Sequence, residues 1–138
     1  MSVFVDAVVQ QYVNHRSTIM NYGNYCGPGW TGGEYTTPGE KSDFSAPFVN
    51  ELDAACKIHD KAYENAKSIQ DRLVADEQLI EAVKQLHDQG LLPDAEARQY
   101  ASDLIAAFTI KMAWMRFQIA LGHLEKPRFL PAGKITTS

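Results

Sequence analysis

Residues 53–63 read Asp53-Ala54-Ala55-Cys56-Lys57-Ile58-His59-Asp60-Lys61-Ala62-Tyr63, and the rest of the chain is organised around them. Residues 50–69 contain neither glycine nor proline and are rich in strong helix formers, which predicts a helix. On a helix His59 and Tyr63 share a face, as do Cys56 and Asp60, because residues four apart lie one above the other. His59 and Asp60 are neighbours and point about 100° apart. A single turn can therefore aim an imidazole at one partner and a carboxylate at another. A lone His-Asp pair on a helix is usually a surface accident. The segment upstream, Tyr25-Cys26-Gly27-Pro28-Gly29, is what gives this pair weight.

Outward from the helix, the composition changes abruptly. Residues 21–47 hold six of the nine glycines and three of the six prolines. A loop of that length inside a compact domain is usually functional or disordered. Tyr22, Tyr25, Trp30, Tyr35 and Phe44 make it too aromatic for a linker, so it reads as an ordered binding loop, with an Ω-loop packed by its own aromatics as the plainer alternative. The helix after it is expected over residues 47–68, opened by Pro47 and capped by Ser45. Its buried stripe is expected from Phe48, Leu52, Ala55 and Ile58, flanked by Val49. A short polar turn leads to a helix over 71–87 with Leu73, Leu79, Ile80, Val83 and Leu86 apolar, and so short a connection makes the two antiparallel neighbours. Residues 89–93 read as a helix stop, and Asp94 as the cap of a long helix over 95–121 closed by Gly122. Tyr100, Leu104, Phe108, Met112, Met115 and Ile119 form its core stripe. Upstream, Val5, Val8, Val9, Tyr12 and Val13 recur at helical spacing and predict a first helix over 3–19. Residues 123–138 carry Pro127, Pro131 and Gly133 and are expected to be an extended tail. The architecture is thus all-α, one domain over 1–138.

With 138 residues, 45% hydrophobic and 22% charged, the chain has ordinary globular composition. A net charge of −4 leaves no basic stripe to neutralise phosphates, so no nucleic-acid partner is expected. The first residues show no basic region or long apolar run and an early Asp6, so no signal peptide is read there. Asp103, Lys111 and Arg116 interrupt the longest apolar stretches, and no membrane span is expected. Two cysteines are compatible with free thiols or with one bridge, and their number alone does not choose.

A glycine-rich turn can direct successive carbonyls to one point, and hard cations such as calcium take carbonyl and carboxylate oxygens. Tyr25, Gly27 and Gly29 alternate along the loop, and Asp60 can supply a carboxylate. Together the loop Tyr25-Cys26-Gly27-Pro28-Gly29 and the helix Asp53 to Tyr63 resemble the secreted phospholipase A2 superfamily, which pairs a Y-C-G-x-G calcium loop with a D-x-x-C-x-x-H-D-x-x-Y helix. That superfamily includes viral capsid phospholipases and bacterial and fungal members.

The resemblance implies a small phospholipase A2-like fold whose two antiparallel helices carry the active site. It implies Ca2+ held by the carbonyls of Tyr25, Gly27 and Gly29 and the carboxylate of Asp60, a Cys26–Cys56 disulfide, His59 as general base, Gly27 N–H at the oxyanion, and Tyr63 in the catalytic network. The superfamily also orients its histidine with an aspartate on the partner helix. His59 lies about nine residues before the turn near Ser68, so the counterpart a similar distance beyond is Asp76, whereas Asp71 sits too near the turn and suits a cap. The chain departs from the superfamily in having only two cysteines, and in Trp30 after Gly29, which either narrows the loop or lies at a membrane interface.

The function implied is calcium-dependent hydrolysis of the sn-2 ester of glycerophospholipids at a membrane surface. A disulfide and a calcium site suit an extracellular setting. With no signal peptide read, the expectation is an effector or toxin delivered outside the producing cell, with an immunity or inhibitor protein as partner. Two other readings remain. One is a catalytically silent module that binds calcium or membrane, separable by calcium-dependent fatty-acid release. The other is a purely structural helical protein with reduced thiols, separable by thiol titration.

Overall fold

The computed structural model describes residues 21–36 and 40–125. The helix expected over residues 3–19 and the tail beyond residue 125 lie outside the described residues. The architecture is mainly helical: a small hairpin of β1 (Trp30–Thr31) and β2 (Glu34–Tyr35), then α1 (Glu51–Asn65), α2 (Ile69–Asp88) and α3 (Ala95–Glu125). Trp30 pairs with Tyr35 and Thr31 with Glu34, antiparallel. The glycine-rich loop therefore contains a short ladder that the sequence reading did not foresee.

α1 begins later than the sequence suggests. Its N-cap is Asn50, whose side chain accepts from Asp53 N, rather than Ser45. Residues 46–49 are held out of the helix by tertiary bonds. The carbonyl of Ala46 accepts from the Tyr25 hydroxyl at 2.5 Å and from Lys57 Nζ at 3.3 Å, and that of Pro47 accepts from Asn24 Nδ2 at 2.7 Å. The buried face of α1 is also rotated from the expected stripe. Leu52, Asp53 and Cys56 are buried, whereas Phe48 and Val49 are exposed and Ile58 is 66% exposed. The Cys26–Cys56 disulfide, with Cα atoms 5.1 Å apart, turns the Cys56 face inward. Its ring spans 30 residues, worth about 3–4 kcal/mol in the chain-entropy account.

A second tie fastens the loop to α1. Asp53 is 0% exposed. Its carboxylate accepts from the backbone N–H of Asn24, Tyr25 and Val49 at 2.8–3.1 Å. Gly23 sits against it at φ +57°, where an added Cβ would stand 2.5 Å from the Asp53 carboxyl carbon, so the site demands glycine. Asp53→Ala strands three N–H donors, that of Tyr25 in a buried position, and is expected to cost about 3–4 kcal/mol, read as a lowered denaturation midpoint with the disulfide intact.

α2 starts at an N-cap, Ser68, whose hydroxyl accepts from Asp71 N, while the Asp71 carboxylate accepts from Lys67 N at 3.0 Å. It ends in a Schellman arrangement: Gly90 at φ +68°, with Gly90 N–H donating to His87 and Leu91 N–H to Leu86. Asp94 Oδ1 accepts from Ala97 N at 2.8 Å and opens α3. α3 runs through Gly122 to Glu125, so Gly122 does not close it and residues 123–125 are helical, not extended. The core joins Leu79, Ile80 and Val83 of α2 with Ala97, Tyr100, Ala101, Leu104, Ala107 and Met112 of α3, and with Leu52, Tyr25 and the disulfide. By length and composition, α3 holds a stretch long and apolar enough to cross a membrane, even though Lys111 and Arg116 lie on the same helix. In this fold one face of that helix packs on α2, and Lys111 turns inward.

Candidate active site

The short connection of residues 66–68 folds α2 back against α1, so that residues from both meet at Asp76. Asp76 is 0% exposed. His59 Nε2 lies 2.7 Å from its Oδ1, and Tyr63 Oη donates to its Oδ2 at 2.8 Å. Lys111 Nζ, from α3, stands 3.3 Å from the same Oδ2 and also donates to Tyr63 Oη. A buried carboxylate needs such partners, because an isolated buried charge is strongly disfavoured. Between a hydroxyl donor and an ammonium, Asp76 acts as an acceptor, so the His59 ring presents its N–H through Nε2. Nδ1 then carries the lone pair. The imidazole is clamped by rings, 4.5 Å from Tyr63 and 5.4 Å from Phe108 between centroids.

His59, Asp60 and Tyr63 line a cavity of about 260 Å³ together with Gly27, Pro28 and Gly29 of the loop and Tyr100, Leu104, Phe108 and Lys111 of α3. The structure thus brings the loop glycines beside His59 and Asp60. Tyr25 is not among the lining residues. Its side chain is buried behind the loop, stacked on Phe44 and bonded to the Ala46 carbonyl. Trp30 bonds back to the Gly23 carbonyl at 2.9 Å and packs edge-on against Tyr35, which braces the loop. The carbonyls of the loop are partly engaged. That of Gly27 accepts from Trp30 N at 3.2 Å, and that of Gly29 from Thr36 N at 2.8 Å and Thr36 Oγ1 at 3.3 Å.

Asp60 has a different environment from Asp76. Its Oδ2 accepts from Thr31 Oγ1 at 3.0 Å, and its Oδ1 lies 4.0 Å from His59 Nδ1. Burial pushes its carboxyl up to about 8, opposed by the Thr31 bond and reinforced by Asp53. A largely buried carboxylate with one neutral donor is a site that gains from a hard cation.

The sequence model of a phospholipase A2-like domain matches residues 16–92. The chain belongs to the phospholipase A2-like domain family. Comparison with curated proteins found no match, and neither did comparison with solved structures. The part of the phospholipase A2-like protein that matches carries the loop, α1 and α2, hence His59, Asp60, Tyr63 and Asp76. α3, with Tyr100, Phe108 and Lys111, lies beyond it.

Four contributors escaped the sequence reading. Thr31 had no distinguishing signal in a loop rich in hydroxyls. Asp53 stood inside the quoted stretch but at the start of a helix, where an acid reads as a cap. From sequence Tyr100 reads as core, and Lys111 as an interruption of an apolar run. A cation flanked by Phe108 and Met112 on one helix face was the available clue.

Proposed function

We propose that this phospholipase A2-like protein is a calcium-dependent phospholipase A2, hydrolysing the sn-2 ester of glycerophospholipids. The observation that carries the reading is the His59–Asp76 pair, braced by Tyr63 and opening on the same cavity as the glycine loop and Asp60. His59 Nδ1 takes a proton from water while Asp76 holds Nε2–H and stabilises the imidazolium that forms. The hydroxide attacks the ester carbonyl, the Gly27 N–H faces the developing oxyanion, and the proton passes from His59 to the departing glycerol oxygen, releasing fatty acid and lysophospholipid. Leu79, Leu104 and Phe108 give the cavity an apolar wall suited to an acyl chain.

The residues present fit a calcium ion. The carboxylate of Asp60 and the carbonyls of Tyr25 and Gly27 would hold it, and Gly29 would join by exchanging its longer Thr36 hydroxyl bond. When bound, calcium supplies Lewis-acid polarisation of the ester carbonyl. The disulfide and the cation together favour a setting outside the producing cell, with the membrane surface as the partner and a delivered effector, neutralised at home by an inhibitor protein, as the biological role. The test is fatty-acid release from phosphatidylcholine vesicles with calcium and with chelator. Release only with calcium supports the reading. Calcium-dependent vesicle binding without release would instead make the protein a silent module.

The network around Asp76 also sets a ranking. Asp76→Asn is expected to lower turnover about a hundredfold, because His59 remains but loses its preferred tautomer. Lys111→Met should lower turnover less and cost about 2–3 kcal/mol by leaving Asp76 short of its cation. Asp71→Ala should leave turnover unchanged and cost about 1 kcal/mol at the start of α2. A crippled Asp71 variant beside a fully active Asp76 variant would refute the assignment.

A further inference from the structure

Among the described residues three polar side chains are buried: Asp53, Asp76 and Thr31. Asp53 fastens the loop to α1 and Asp76 holds His59. Thr31 reaches across 29 positions to donate its hydroxyl to Asp60 Oδ2 at 3.0 Å. The hairpin makes that reach possible. Gly32 and Gly33 close it at φ +69° and +80°, the two-residue turn that suits antiparallel strands. Successive side chains of a strand point to opposite faces, so Trp30 and Thr31 diverge. Trp30 bonds back to the Gly23 carbonyl, and Thr31 turns toward α1.

The last torsion of an aspartate is broad, so the helix alone does not fix where the two Asp60 oxygens point. Among the described residues, the hydrogen bond that this carboxylate accepts is the one from Thr31. Threonine is stiff at χ1, and its strand is held by the pairing of Thr31 with Glu34, so the hydroxyl is a fixed point for Oδ2. Oδ1 then stays on the His59 side, 4.0 Å from Nδ1, and both residues line the cavity. A cation binds better to oxygens already oriented than to oxygens it must first order. Resting on the calcium reading above, we infer that Thr31 is a positioning residue, whose hydroxyl fixes the Asp60 carboxylate in the orientation that takes calcium beside His59. The hairpin thereby belongs to the cation site, although none of its strand residues is assigned to the metal.

Calcium affinity, measured by calorimetry on proteins shown by circular dichroism to be folded, tests this apart from turnover. Thr31→Val keeps the branched shape without the hydroxyl and is expected to weaken calcium binding about tenfold or more. Thr31→Ser keeps the hydroxyl on a less restricted side chain and is expected to stay within about threefold of the wild type. Thr31→Ala differs from the serine variant by that oxygen alone and is expected to behave as Thr31→Val does. The serine and alanine variants decide the matter if Thr31→Val does not fold. A role in packing alone would group serine with alanine, since both lack the methyl group, and that result overturns the inference. So does a variant without the hydroxyl, valine or alanine, that binds calcium as the wild type does. In either case calcium binding by the wild-type protein leaves the calcium-dependent reading standing. If the wild-type protein binds no calcium, that reading falls and the inference with it.

Discussion

His59→Ala is expected to lower phospholipid hydrolysis by about a thousandfold or more while the protein still folds and binds calcium. The size follows from the geometry. His59 Nε2 is engaged by Asp76 at 2.7 Å, and its ring is held between Tyr63 and Phe108, so Nδ1 is left as a well-placed base facing the cavity. The other groups at hand are ill suited to replace it. Tyr63 and Lys111 are bonded to each other and to Asp76, and Asp76 is fully buried. Among the described residues the imidazole meets side chains, those of Asp76, Tyr63 and Phe108, so its loss should leave the helices in place. Asp76 keeps Tyr63 and Lys111, which limits the cost to stability. The measurement is the initial rate on phosphatidylcholine vesicles at saturating calcium, with circular dichroism and a calcium titration as controls. Undiminished turnover in a folded His59→Ala protein would end the enzymatic reading.

Asp60→Asn carries the second largest effect. Calcium binding is expected to vanish and turnover to fall by about a hundredfold or more, because the proposed site loses the carboxylate assigned to it while keeping its neutral oxygens. The same change should stabilise the calcium-free protein, in a pH-dependent way. The folded-state value of about 8 lies above the ordinary 3.8. The folded protein therefore holds this proton more tightly than the unfolded chain does, and stability falls as pH rises from about 4 to 8. In chelator, the uncharged amide of the Asp60→Asn protein removes that penalty: its melting temperature should exceed that of the wild type clearly at pH 8 and little at pH 4. Calcium should erase the difference by stabilising the wild-type protein alone. An Asp60→Asn protein that keeps full calcium affinity would place the metal elsewhere.

Local periodicity and spacing carry a definite part of this architecture. The helix through residues 53–63, the shared face of His59 and Tyr63, the stop at Gly90 and the cap at Asp94 all follow from interactions within a turn or two of chain. The short connection after α1 also made Asp76 the residue opposite His59, since two helices joined so closely have their register set by length. Periodicity says which residues share a face, however, and not which face looks inward. Hydrophobicity alone places Phe48 and Ile58 in the core, yet the face bearing Cys56 and Asp53 occupies that place. A disulfide and the N–H groups of Asn24 and Tyr25, bonded to one carboxylate, reach it from a loop about 30 residues away. The same range decides the rest. Lys111 meets Tyr63 across 48 positions, and Thr31 meets Asp60 across 29. Tyr100 is left facing the cavity only because α3 packs on α2 with that side toward the site. Such pairings depend on how three helices and a loop share one core, a sum of burial over the whole chain that no single stretch records.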